Sequence, residues 1–78
     1  MNKLRQLAIN EEGFIFDPST GESFTTNQTG VFILKMLKEG KKEEEILEKI
    51  TEEFSVDKET AERDLLDFIE RLKNYRII

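Results

Sequence analysis

The 78-residue chain contains no cysteine and no histidine. The first absence excludes disulfide staples and thiolate metal sites. The second removes a His-ligated metal, a Ser-His triad and a histidine general base. No apolar run approaches the roughly 20 residues a membrane helix needs. The opening Met1-Asn2-Lys3-Leu4-Arg5-Gln6 lacks the apolar core of a secretory signal, so a cytoplasmic protein without a membrane segment is expected. Basic charge is in deficit, with 12 Lys and Arg against 17 Asp and Glu for a net charge of −5. Affinity for phosphate backbones comes largely from Lys and Arg, so nucleic acid is not an expected partner. There is no glycine-rich phosphate loop and no twelve-residue calcium-loop pattern. Asp64, Asp67 and Glu70 are spaced by three, but Arg63, Arg71 and Lys73 are interleaved with them, as on a solvated helix face. No catalytic residue, metal ligand or cofactor is expected.

What is present is enough for one domain over residues 1–78. The composition is 37% charged and 37% hydrophobic. That is polar, yet the apolar residues fall in periodic segments, which marks a folded chain rather than a disordered one. The organising stretch is Glu22 to Gly40, where a Thr- and Phe-rich strand hands over through Asn27 to a strongly apolar helix. Asn27-Gln28-Thr29 fits a glycosylation acceptor, but without a secretory signal Asn27 reads as a helix N-cap.

Three short strands precede that helix. Leu4–Ile9 is the expected first strand, with Leu7 and Ile9 on one face. Phe14-Ile15-Phe16 is apolar at every position, which predicts a middle strand covered on both faces. Asp17-Pro18-Ser19-Thr20-Gly21 is a turn by residue type, and Glu22–Thr26 pairs back as strand three. Strand three has no Lys or Pro between Ser23 and Thr26 to block its outer edge. Either the edge is short or covered by a helix, or it is a docking edge for an extended peptide.

Three helices follow. The first runs over Gln28–Glu39 and ends at Gly40; its Gly30 predicts close approach to another backbone. The second runs over Glu43–Phe54 with Ile46, Leu47, Ile50 and Phe54 inward. The third runs over Lys58–Lys73, capped by Asp57, with Ala61, Leu65, Phe68, Ile69 and Leu72 as its apolar stripe and Leu66 beside it. Asn74 is the expected left-handed terminator, and Tyr75-Arg76-Ile77-Ile78 a tail packed on the body. The fold expected is α+β, winged helix-turn-helix-like, with a three-stranded antiparallel sheet followed by three helices. Such a fold admits a winged-helix DNA-binding regulator. However, between Lys58 and Arg76 five basic residues are matched by five acidic ones, which disfavours DNA. A subunit that docks on a larger enzyme is a third reading.

The order and spacing of several segments resemble the PqqD family and the related recognition elements for ribosomally made, modified peptides (RiPPs). These are Phe14-Ile15-Phe16-Asp17, Asn27-Gln28-Thr29-Gly30 leading to Ile33-Leu34, Leu37-Lys38-Glu39-Gly40, Glu45-Ile46, Asp64-Leu65, Phe68-Ile69 and Leu72, and Arg76-Ile77-Ile78. The resemblance covers about Leu7 to Ile78. The chain departs from the family in carrying Lys41-Lys42 before helix two, where Ser or Thr is frequent, and Asn74-Tyr75 where glycine is usual. The resemblance implies a non-catalytic peptide chaperone that binds the leader of a precursor peptide and presents it to a modifying enzyme, often a radical SAM protein. It implies strand addition at Ser23, Phe24, Thr25 and Thr26, with Ala61, Leu65 and Phe68 of helix three beside the peptide. A monomer or weak homodimer is expected, since an open edge can also pair with its own copy.

Overall fold

The computed structural model describes residues 3–78; Met1 and Asn2, part of the stretch read for a signal segment, lie outside them. Lys3–Gln6 is a 3₁₀ turn rather than the start of a strand. Leu4 and Leu7 are three apart, a spacing the 3₁₀ repeat brings to one side, and both are buried. Strand β1 is therefore only Ala8–Ile9. Strands β2 (Phe14–Asp17) and β3 (Glu22–Thr25) complete an antiparallel sheet in the order β1-β2-β3. The expected double coverage of β2 does not occur. Ile15 is buried, whereas Phe14 and Phe16 are 58% and 44% exposed. The position in the middle of the sheet was legible, but the core lies against one face of the sheet and leaves the other to solvent.

Helix α1 (Gln28–Lys38) begins where Asn27 Oδ1 accepts the Gly30 N–H at 2.9 Å. It ends in paired bonds from Gly40 N–H to Leu37 O and from Lys41 N–H to Met36 O, with Gly40 at φ 83°. Helix α2 (Glu43–Phe54) has Lys42 at its N-cap and no side-chain cap bond. The acidic first turn, Glu43-Glu44-Glu45, faces the positive end of the helix dipole instead. Helix α3 (Lys58–Asn74) is capped by Asp57, whose Oδ1 accepts the Thr60 N–H at 2.8 Å. Its left-handed terminator is Arg76 (φ 59°) rather than Asn74. The reason is a hydrophobic closure: Ile77 N–H reaches Leu72 O, and both of these side chains are buried.

The core joins Ile15 and Phe24 of the sheet to Ile33, Leu34, Ile46, Ile50, Ala61, Leu65, Phe68 and Leu72 of the helices. Phe32 of α1 meets Phe54 of α2 edge-on at 5.4 Å. The β1–β2 turn is tied to α1 by Gln28 Nε2 on Glu11 O at 2.9 Å and by the Lys35–Glu11 ion pair. Leu66 is 55% exposed and takes no part in the core.

Gly30 is needed for a different neighbour from the one expected. A Cβ there would collide first with the Thr26 side chain, including Thr26 Cβ at 2.9 Å; the three nearest atoms all belong to that side chain rather than to a backbone. Gly30→Ala should therefore destabilise by about 1–3 kcal/mol, against the roughly 1 kcal/mol that helix propensity alone would add. Urea unfolding of Gly30→Ala, Thr26→Ala and the double variant should show strong coupling, with the second substitution relieving the first. A stabilised Gly30→Ala would mean that Thr26 simply swings aside.

Candidate functional site

The hydrogen-bond phase of the sheet decides which β3 groups are available. Thr26 N–H donates to Gly13 O at 2.8 Å, so Gly13 and Thr26 form a hydrogen-bonded pair. The register pairs Phe14 with Thr25, Ile15 with Phe24 and Phe16 with Ser23. Hydrogen-bonded and non-bonded pairs alternate in an antiparallel ladder. Phe24 therefore spends its main-chain groups on Ile15, while those of Ser23 and Thr25 point outward, to the side where no strand follows. Their side chains share the solvent face with Phe14 and Phe16.

The outward edge adjoins a cleft of about 240 Å³. One wall is Thr26, Asn27, Thr29, Gly30 and Ile33; the other is Asp64, Asp67, Phe68 and Arg71 of α3. Arg71 closes on the strand itself, its Nη2 donating to Thr25 O at 2.7 Å. The guanidinium carbon lies 5.6 Å from the Phe24 ring centroid. Tyr75 stacks on the same ring, with centroids 4.4 Å apart and planes 9° from parallel.

The structure brings the expected site residues together unequally. Ser23 and Thr25 are exposed on the edge, and Thr26 lines the cleft. Phe24 is only 9% exposed beneath Arg71 and Tyr75. Phe68 belongs to both the core and the cleft wall, while Ala61 and Leu65 are core residues. Sequence reasoning assigned Asp64, Asp67 and Arg71 to a solvated face and did not place Tyr75 at the edge. Their signal was spacing: Asp64, Phe68 and Arg71 follow the i, i+4, i+7 rule and so line one flank of α3.

The turn into β3 is fixed by Asp17, a buried carboxylate. Its Oδ1 accepts from the Ser19 hydroxyl at 2.7 Å and from the Ser19 N–H at 2.9 Å. The hydroxyl bond first, then the N–H bond, hold the Asp17 carboxyl below its ordinary range against the opposing effect of burial. Among the described residues no group of three or more Asp and Glu side chains could hold a metal ion, and no helix is long and apolar enough to cross a membrane.

Residues 12–78 match the family described as coenzyme PQQ synthesis protein D (PqqD). The chain belongs to the PqqD family. Two solved structures are similar to this PqqD-family chain. TbiB1 in complex with the TbiA(beta) leader peptide is 38% identical, with a TM-score of 0.79 over 91% of this chain and 84% of that one. Lasso peptide synthetase B1 complexed with the leader peptide is 27% identical, with a TM-score of 0.75 over 88% and 82%. No curated protein matches the chain. The neighbours share its winged-helix-like α+β fold, a three-stranded antiparallel sheet followed by three helices.

Two outcomes follow for the edge. Ser23→Pro removes an outward N–H and should change stability by no more than about 1 kcal/mol. Thr26→Pro removes the bond to Gly13 and should cost on the order of 3 kcal/mol; equal losses in urea unfolding would contradict the register. Asp17 has a depressed folded value, so its stabilisation is complete above the ordinary carboxylate range. It is lost as pH falls below about 4. Asp17→Asn should flatten that part of the pH–stability curve, read by thermal unfolding between pH 2 and 7.

Proposed function

We propose that this PqqD-family chain is a RiPP recognition element that binds the leader of a ribosomally made precursor peptide by strand addition. The observation that carries this is the outward main-chain edge of Ser23 and Thr25 opening onto the cleft beside α3. The leader-bound state of TbiB1, at 38% identity, supports it. An added strand gains main-chain bonds from the edge, and every second peptide side chain faces the domain. Ser23, Phe24, Thr25 and Thr26 form the strand side of the site. Phe68 forms the apolar wall on α3, with Ala61 and Leu65 as the packed floor that holds α3 in place.

In this reading residues 1–78 act as one non-catalytic domain, a monomer or weak homodimer in the cytoplasm. It carries the leader to a modifying enzyme, of which a radical SAM protein is the leading candidate. Duplex DNA is the poorer ligand, because Asp64 and Asp67 line the cleft and would repel phosphates.

The test is amide NMR of labelled chain titrated with the TbiA(beta) leader peptide and with leader segments of candidate precursors. Shifts should concentrate at Ser23–Thr26 and at Asp64–Arg71. Saturation by a leader without shifts at β3, or shifts produced by duplex DNA alone, would sink the assignment.

A further inference from the structure

Strand three carries neither Lys nor Pro between Ser23 and Thr26, the usual guards of an open edge. The guard comes from α3 instead. Arg71 Nη2 occupies Thr25 O at 2.7 Å. That carbonyl is the outward acceptor an added strand would need. An incoming N–H must come within about 2.7–3.2 Å of the same oxygen; that oxygen has a second lone pair, so the competition is for the space beside the strand that the guanidinium fills.

A second acceptor stands one helical turn before Arg71. Asp67 lies four residues earlier on the same helix and lines the same cleft. Aspartate and arginine at this spacing are neighbours on a helix and ordinarily attract. Yet the ion pairs among the described residues are Lys35–Glu11, Lys41–Glu45 and Lys49–Glu52, and Asp67 is in none of them. The guanidinium bonds the strand carbonyl and lies over the Phe24 ring rather than pairing with Asp67.

We infer that Arg71 is a two-position latch on the β3 edge. On Thr25 O it closes the edge of the free protein. When a leader strand takes that carbonyl, the guanidinium moves to the Asp67 carboxylate and the cleft stays open. This rests on the leader-binding reading above. Both positions are solvent-exposed and exposed charge pairs contribute little, so the two states lie close in free energy and a ligand that favours one shifts the population readily. Arg71 is thus a positioning residue for access to the edge.

The latch has a readout that needs no peptide. In the free, full-length chain, Arg71→Met should move the Thr25 carbonyl ¹³C resonance as its hydrogen bond is lost, while Asp67→Asn leaves that resonance in place. An unmoved carbonyl would overturn the latch whether or not any leader binds. With a leader peptide that the wild-type chain binds, Arg71→Met should raise affinity roughly two- to fivefold, chiefly through faster association. Asp67→Asn should lower it by a similar factor in the Arg71 background and have no effect alongside Arg71→Met. Weaker binding by Arg71→Met would make Arg71 a direct peptide contact. An equal loss from Asp67→Asn in both backgrounds would make Asp67 one. Either result overturns the switch. Failure of every leader to bind the wild-type chain would instead remove the functional reading, leaving the carbonyl shift as the test of the latch.

Discussion

The hydrogen bond from Thr26 N–H to Gly13 O sets the phase of everything around it. Through the alternation of the ladder it turns Phe24 inward to pair with Ile15 and turns the main chain of Ser23 and Thr25 outward. A shift of one residue would reverse both assignments and expose Phe24. Thr26 is held in place from two sides. Its carbonyl lies so close to Gly13 that a side chain there would collide with it, and its own side chain fills the space that a β-carbon at Gly30 would need. The two glycines and the threonine thus lock the hairpin, the start of α1 and the exposed edge into one arrangement.

That arrangement leaves the outer edge of β3 without a strand partner, which is both a liability and a means of taking up an added strand. The chain manages it without interrupting the strand. A long cationic side chain from α3, 46 residues away from Thr25, reaches across to the edge. Tyr75 and the guanidinium cover Phe24, the one large side chain of β3, so the apolar surface next to the edge is also shielded. Protection by a movable side chain keeps the strand straight and its donors intact, which a proline or bulge would not. The cleft beyond it is polar at its α3 wall, with Asp64 and Asp67 facing the space that Phe68 and Ile33 line with apolar surface. A ligand lying there meets an apolar strip between charges of both signs, which suits a peptide better than a nucleic-acid backbone.

Local chemistry made much of this legible in advance. Asn27 and Asp57 announced the starts of α1 and α3 because a side-chain oxygen at that position satisfies an N–H of the first turn. Asp17 to Gly21 announced the hairpin, and the apolar stripes announced the helix faces. The misreadings share one cause. Phe14 and Phe16 looked covered because apolar runs do not say how many layers a small domain can build. Leu4–Ile9 looked like a strand because Leu7 and Ile9 fit its two-residue period, whereas Leu4 and Leu7, three apart, pack through a 3₁₀ turn. Asn74 looked like the terminator because its type suits the left-handed region, whereas burial of Ile77 on Leu72 placed that conformation at Arg76.

The sequence by itself determined the order of strands and helices, the N-caps of α1 and α3, the turn at Asp17 to Gly21, and the presence of an unblocked strand after the hairpin. These depend on neighbours a few residues apart, whose spacing is fixed by covalent geometry. Only the tertiary structure decided what faces that strand. Arg71 and Tyr75 meet β3, and Asp67 and Phe68 the cleft beside it, because α3 enters the shared core through Leu65, Phe68 and Leu72, and a charged residue on a helix flank carries no mark of whether it looks at water or at a backbone carbonyl across a groove. That choice belongs to packing between distant segments, which no local pattern encodes.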